Sequence, residues 1–376
     1  MKILFIRYSI PSHEIRYYAA MLPIAMKNQK KVEVTVVSSP GKAKPHIREI
    51  LQNEGIEIID FEEPEKRGWK SAFVTAKFLV NSFKKHQFDA VHTFGFSHAM
   101  RYWLSQCIYN RKKKIPVVVS LESMKHGRPE EFFVRFVASQ IINFMPGQLC
   151  TLSIIEYTKM KIAGIRRSKL KLVPNWVDFK KFEENNHGQL PFEKTLNGKF
   201  IIVYLAQFVP RKGHFYLLKA AAKIVKDYPN CLFVLAGNGP LLPKIYSLTN
   251  RLGLINHVIF PGRLTSEQVV VLLKRSDIAA IASLSETFGW TIVEPLMANK
   301  PVVTTAVGCA LDLANINGVL MVPRRDANAL AIALKHMIED PELRENIVKQ
   351  GKRYVLENCD INKVVDKYYS IYLDCV

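Results

Sequence analysis

Short apolar runs alternate with longer amphipathic ones along all 376 residues of the chain, and no other feature constrains the fold as tightly. Residues 2–7 (KILFIR) and 32–37 (VEVTVV) read as buried strands, because near-continuous β-branched and aliphatic runs fit strands covered on both faces. Between them, residues 14–27 (EIRYYAAMLPIAMK) have helical spacing, with Pro23 as a flaw or an end. The rhythm continues through EIID (57–60), an amphipathic stretch at 70–85, DAVHTF (89–94), VVVSL (117–121) and an apolar helical stretch at 131–144. Alternation of this kind predicts a parallel, doubly wound sheet.

The second half repeats the pattern. FIIVYLA (200–206) precedes a helical run at 214–227, and CLFVLAG (231–237) precedes another at 241–251. HVIFPG (257–262), DIAAIA (277–282) and PVVTTA (301–306) continue the series. A polar stretch at 183–199 separates the two halves. The expected organisation is two Rossmann-like domains, residues 1–180 and 181–358, with a last helix at 359–376 that returns to the first domain. The ligand of such a pair is expected at the carboxyl ends of the strands, in the cleft across which the domains face.

Hydrophobic residues make up 48% of the chain and charged residues 23%, which excludes a wholly disordered protein. No apolar run reaches the roughly 18–20 residues that a bilayer span needs. The opening Met1–Arg7 is too short an apolar run for a secretory leader. The six cysteines form no CxxC pair, so free thiols in a reducing cytoplasm are expected. Charge is the outlier. Residues 1–181 carry 31 basic and 15 acidic side chains, and residues 182–376 carry 22 and 18. A basic first half beside a nearly neutral second half points to two domains with different partners, at least one of them anionic.

The most informative segment is 283–303, SLSETFGWTIVEPLMANKPVV. Glu286 follows a strand in a turn containing Gly289, and Glu294 follows near the start of a helix. Pro295 is best tolerated in a first helical turn, which places the helix start near 290–294. A helix N-terminus after a strand presents unsatisfied N–H groups to an anion, and the two glutamates would then accept hydroxyl hydrogen bonds on either side of it. For a lone glutamate pair, a helix-start charge beside a solvated loop carboxylate is the simpler account.

The string Glu286–x–Phe288–Gly289, then Glu294–Pro295–x–x–Ala298, then Lys300–Pro301–Val302–Val303, closely resembles the signature of the family 4 retaining glycosyltransferases, which have the GT-B fold. PNWVD (174–178), PRKG (210–213) and LAGNGP (235–240) resemble that family's motifs in the same order. The resemblance is strong over 165–345 and covers 1–165 only as strand–helix rhythm. It implies an α/β GT-B enzyme that moves a sugar from a nucleotide-diphosphate sugar, UDP- or GDP-linked, onto a glycan or lipid-linked acceptor with retention. It implies that Arg211 and Lys212 hold the donor diphosphate, where leaving-group charge grows in the transition state. Glu294 would bind the ribose hydroxyls and Glu286 the transferred sugar. Phe288 and Gly289 would supply backbone N–H groups, Gly237 and Gly239 a tight strand-to-helix turn, and Arg263 part of the nucleobase pocket. The chain has no Asp-x-Asp pair, so transfer without a metal is expected.

Some positions depart from the family pattern. Ala206-Gln207 stands where members carry Gly-Arg, so one phosphate cation is missing, with Arg211 its candidate replacement. Tyr8–His13 replaces a glycine-rich loop. A slot often held by histidine after strand 117–121 holds Glu122, with His126 slightly downstream, and either is a candidate to face the reacting sugar. His92 resembles a family histidine but reads more simply as a core residue.

The basic half places Arg111–Lys114, Lys84-Lys85 and Arg166, Arg167, Lys169 and Lys171 beside aromatics that include Trp69, Phe73, Phe78 and Phe83. That composition suits peripheral attachment to an anionic membrane, on the domain that takes the acceptor in GT-B enzymes. No zinc-finger, helix-turn-helix or RNP-type string calls for nucleic acid. Two other readings share the architecture: a sugar-nucleotide epimerase, and a basic binding protein with a degenerate transferase site.

Overall fold

The computed structural model describes residues 1–6, 15–38, 45–62, 69–109, 114–121, 139–177, 179–183 and 188–376. The chain divides into two compact units. One holds Met1–Leu152, Glu156–Trp176 and Ile361–Val376; the other holds Ser153–Ile155 and Val177–Asp360.

The first unit is built on seven parallel strands, β1 Lys2–Ile6, β2 Glu33–Ser38, β3 Glu57–Asp60, β4 Ala90–Phe94, β5 Val117–Ser120, β6 Gly147–Thr151 and β7 Leu170–Leu172, in the order β3-β2-β1-β4-β5-β6-β7. Register is set by apolar residues on both faces: Ile3 pairs with Ala90 and Val34, and Val117 with Val91 and Gly147. Leu4, Ile6, Val91, Val117, Val119 and Leu149 fill one side of the sheet with Leu79 and Phe83 of the helix Trp69–Lys85. Phe78 also packs there, stacked on Phe61. Phe78 and Phe83 are therefore engaged by the core, while Phe73 is half exposed. Lys169 is likewise engaged structurally: its ammonium donates to the carbonyls of Met145 and Gly147, and burial lowers its pKa.

The helix Ile15–Lys30 carries Pro23 in its interior without ending there. Of the stretch 131–144, residues 139–144 are helical and 131–138 lie outside the described residues. The helix Ile361–Cys375 belongs to the first unit. Its Tyr368 and Tyr372 hydroxyls reach Ser120 Oγ at 2.7 Å and His92 Nδ1 at 2.5 Å. His92 is fully buried in β4 between these groups and Phe5, which makes it a satisfied core histidine.

The second unit is built on β8 Phe200–Leu205, β9 Cys231–Ala236, β10 Val258–Ile259, β11 Ile278–Ile281, β12 Val302–Thr305 and β13 Leu320–Val322. Every pairing is parallel, and the order is β10-β9-β8-β11-β12-β13. Numbered within the unit, this is 3-2-1-4-5-6, the doubly wound order whose direction reverses between its first and fourth strands. Loops leaving β8 and β11 at their carboxyl ends therefore diverge from one point, and the crevice between them is where such sheets take ligands. All six cysteines are free thiols. Among the described residues, no helix is long and apolar enough to cross a membrane.

Candidate functional site

The two loops at the reversal point carry the residues that the sequence singles out. After β8 the chain passes Ala206 and the exposed Gln207, makes a 3₁₀ turn over Pro210–Lys212, and enters the helix His214–Asp227 through Gly213. Gly213 has φ 64°, and a Cβ there would lie 2.0 Å from the Ala282 carbonyl oxygen. Only glycine lets the helix start this close to the end of β11. After β11 the chain runs through Ser283–Gly289 into the helix Trp290–Met297, again through a left-handed glycine, Gly289, φ 95°. The loops are tied together by Leu284 N–H donating to the Arg211 carbonyl at 2.7 Å.

Lys212 and Glu286 meet at the centre. The Lys212 ammonium lies 2.5 Å from Glu286 Oε1, and Arg211 reaches Oε2 at 3.4 Å. Ser283 Oγ donates to Glu286 Oε1 at 2.7 Å. Tyr204, buried at the end of β8, donates its hydroxyl to the Lys212 carbonyl at 2.8 Å and lies 2.8 Å from Ser283 Oγ. Burial and the nearby Glu286 charge raise the Tyr204 pKa, so this hydroxyl keeps its proton. Thr305, at the end of β12, donates to the Ser283 carbonyl at 2.5 Å. The ends of β8, β11 and β12 thus hold one carboxylate and one ammonium in a fixed geometry. Arg211 is about half exposed and sits at the rim.

The helix starts offer more donors. Among the described residues, the backbone N–H groups of Phe288, Gly289 and Trp290 have no hydrogen-bond partner, and neither do the buried hydroxyls of Ser285 and Thr291. The N–H groups are those that a helix start leaves without intrahelical partners, and with the two hydroxyls they lie in the segment that carries Glu286. His214 opens the other helix. Its ring stacks on Phe208 with centroids 4.2 Å apart, and both ring nitrogens lack partners. Burial, reinforced by Lys212, lowers its pKa to about 3, so it is neutral.

The other expected residues are distributed around this centre. Gly237 and Gly239 follow β9 at φ 146° and 157°, and Cβ atoms there would meet the carbonyl oxygens of Ala206 and Phe208 at 2.0 and 2.6 Å. They bring the β9 loop against the β8 loop. Gly237 N–H donates to Gly262, and the next residue, Arg263, is exposed. Glu294 is partly exposed within the helix Trp290–Met297. Pro295 stands in the second turn of that helix, one turn later than expected, because the left-handed Gly289 starts the helix at Trp290. Glu122, His126 and the segment Tyr8–His13 lie outside the described residues.

One neighbour escaped the sequence reading. Arg324, just beyond β13, donates to the Leu284 carbonyl at 3.3 Å and so joins the same loop as Glu286. Its only sequence signal was an Arg-Arg pair at a strand's carboxyl end.

Two parallel doubly wound units of this kind define a GT-B α/β protein. Residues 188–354 match the family model of the glycosyl transferases group 1. It is 26% identical over 191 residues to the alpha-D-kanosaminyltransferase of Streptomyces kanamyceticus, covering 50% of this chain and 49% of that one. It is 30% identical over 174 residues to the lipopolysaccharide core biosynthesis glycosyltransferase LpsD of Rhizobium meliloti, covering 46% and 49%. The matched segment spans about half the length of these curated relatives. Over the full length of both chains, the fold is similar to that of Anabaena Alr3699/HepE, crystallised with UDP, at a TM-score of 0.81 and 20% identity.

Proposed function

We propose that the chain is a glycosyltransferase that takes a nucleotide-diphosphate sugar, UDP- or GDP-linked, and passes the sugar with retention to a glycan or lipid-linked acceptor. The observation that carries this reading is the Lys212–Glu286 pair at the reversal point of the sheet, with Arg211 at its rim and partnerless N–H groups at a helix start beside it. The family-model match over 188–354 and the UDP and UDP-glucose held by the structural neighbour HepE support a nucleotide-sugar donor. Lys212, Arg211 and Arg324 set three cations against the one carboxylate of Glu286 on these loops. The surplus of positive charge complements a diphosphate and favours the more highly charged leaving group as the glycosidic C–O bond breaks. Arg324 supplies the cation that Gln207 does not.

In this reading Glu286 accepts from hydroxyls of the transferred sugar, and Glu294 from the ribose. Gly237 and Gly239 let the β9 loop approach the nucleotide, with Arg263 beside the base. Phe288 and Gly289 donate through their backbones. Fixed cations and helix N-termini take the role a divalent metal plays in other transferases. The departing phosphate serves as base for attack on the same face, and Glu122 is the candidate contact from the first unit. That unit takes the acceptor at an anionic membrane surface of the cytoplasm. Its exposed Phe73, Phe144 and Ile162, among Lys70, Lys77, Lys161 and Arg166, support this. The lipopolysaccharide core biosynthesis role of the relative LpsD points to a surface glycan.

A thermal-shift series with UDP, GDP, ADP and CDP and their sugars tests the donor reading, since a ligand of the native state raises Tm by mass action. One nucleotide should stand out; Glu294→Ala should abolish its effect and Lys212→Ala should weaken it strongly. Parent-like responses in both variants would refute the assignment. Donor turnover without any added acceptor would instead favour an epimerase.

A further inference from the structure

The second unit has a large cavity at the other edge of its sheet. It has a volume of about 890 Å³, and its lining includes Lys300, Pro301, Val348, Lys349, Arg353 and Leu356. Pro301 immediately precedes β12, so the cavity opens at the amino ends of the strands. The four residues of β11 alone separate the two edges by about 13 Å at ~3.3 Å per residue. Nothing in the transferase reading uses this place.

One wall is a single face of the helix Pro341–Asn358, where Val348, Lys349, Lys352, Arg353 and Leu356 recur at helical spacing. That wall is rigidly set. Gly351, on the opposite face, packs so closely that a Cβ would lie 2.6 Å from the Gly318 carbonyl oxygen and 2.7 Å from Leu296. Several polar groups around the cavity already serve the fold. Arg344 donates to the carbonyls of Met337 and Ile338 at 2.5 and 3.0 Å, and Lys352 donates to Asn299 at 2.8 Å. Asp277 accepts from Ile201 N–H at 2.7 Å.

Three cations remain. Among the described residues, the side chains of Lys300, Lys349 and Arg353 make no hydrogen bond or ion pair: the lining carboxylates Asp277, Glu345 and Glu357 lie beyond ion-pair distance of them, with Asp277 exerting a longer-range pull on Lys300. Lys300 is half-buried, and burial lowers its pKa against a smaller opposing pull from Asp277. A half-buried ammonium that lacks an ion pair is costly even with a carboxylate at longer range, and an anion beside it lowers the cost. Three cations around one space match a phosphate monoester, which carries nearly two charges and three acceptor oxygens. Pro301, Val348 and the 41% exposed Leu356 add an apolar wall that a free ion would leave in water.

We propose that this cavity binds a phosphate monoester carried on an apolar tail, with the phosphate at Lys300, Lys349 and Arg353 and the tail along Val348 and Leu356. Lysine labelling reads the site locally and independently of any transferase activity. The full-length protein is acetylated with an N-hydroxysuccinimide ester, and modification of Lys300 is quantified by mass spectrometry as ligand is added. Dihexanoyl phosphatidic acid should reduce Lys300 labelling at least tenfold, at concentrations at least tenfold below those at which inorganic phosphate does so. Dihexanoyl phosphatidylcholine should leave it unchanged. Lys349→Gln and Arg353→Gln should each raise the protecting concentration several-fold, and Lys212 in the same digest reports binding at the opposite edge. Three results would each overturn the proposal: no protection of Lys300, equal protection by inorganic phosphate, or parent-like protection in both variants.

Discussion

The Lys212 ammonium and the Glu286 carboxylate lie 2.5 Å apart with side chains only 10% and 9% exposed. Such a pair is sustained by its surroundings: Ser283 and Arg211 share the carboxylate, and the Tyr204 hydroxyl fixes the backbone that presents the lysine. Removing one member leaves a charge in a site built for two. Lys212→Ala should therefore lower unfolding stability by about 3 kcal/mol, read from urea titrations at pH 7. Lys212→Met with Glu286→Leu should recover more than half of that loss.

The same pair ties stability to ligand binding. On the proposed donor reading, a diphosphate competes with Glu286 for the lysine in the parent. Glu286→Gln removes the competing charge while keeping the shape and the Ser283 hydrogen bond. The bare nucleoside diphosphate should bind this variant several-fold more tightly, measured by calorimetry. Sugar transfer should fall at least a hundredfold, about 2.7 kcal/mol of barrier. A parallel loss of both would place Glu286 outside the sugar's contacts.

Arg324 reaches the loop of Glu286 through the Leu284 carbonyl. It is exposed, and its replacement leaves no buried group unpaired. Arg324→Ala should therefore shift Tm little, yet weaken nucleoside diphosphate binding about tenfold, the order expected for one charge-assisted contact. Nucleoside monophosphate affinity should change less, and added salt should narrow the difference between variant and parent.

Much of this arrangement was legible before any coordinates. The helix His214–Asp227 coincides with its sequence reading because an unbroken apolar stripe runs between Gly213 and the Tyr228–Asn230 turn. The strands β8, β9, β11 and β12 were legible as continuous apolar runs. β6, with the sequence GQLCT, and the three-residue β7 and β13 were not. Their strand character comes from neighbours in the sheet, not from their own composition. In the site, Lys212, Arg211 and Glu286 stand out by residue type beside turn glycines. Ser285, Thr291 and Arg324 do not, because their significance arises only where the 3-2-1-4-5-6 order brings distant strand ends together.

Asp312 gives the second unit a marked acid response. It is 5% exposed, and burial raises its pKa from 3.8 to about 6, against opposing hydrogen bonds that include the Ile154 N–H. Between those values the native state holds a proton that the unfolded chain has released. The contribution of this group therefore stabilises at low pH and turns into a full penalty above pH 6. Asp312→Asn keeps an acceptor for Ile154 and removes the charge. It should be more stable than the parent by about 2–3 kcal/mol at pH 8 and nearly equal to it at pH 4, where both carry a neutral side chain. Urea unfolding at the two pH values checks this.

His214 works in the opposite sense. Burial, with Lys212 adding to it, lowers its pKa from 6.5 to about 3, so the native state refuses a proton that the unfolded chain accepts. Stability is therefore lost as pH falls from 6.5 toward 3. At pH 5 the loss from this one ring is about 2 kcal/mol, from 1.36 kcal/mol per unit. The ring makes no hydrogen bond through either nitrogen and is held by its stack on Phe208. His214→Phe keeps an aromatic face there and cannot be protonated. Unfolding between pH 7 and pH 5 should thus cost the variant about 2 kcal/mol less stability than the parent. A difference between variant and parent that is the same at both pH values would mean that the histidine is solvated or paired in the native protein.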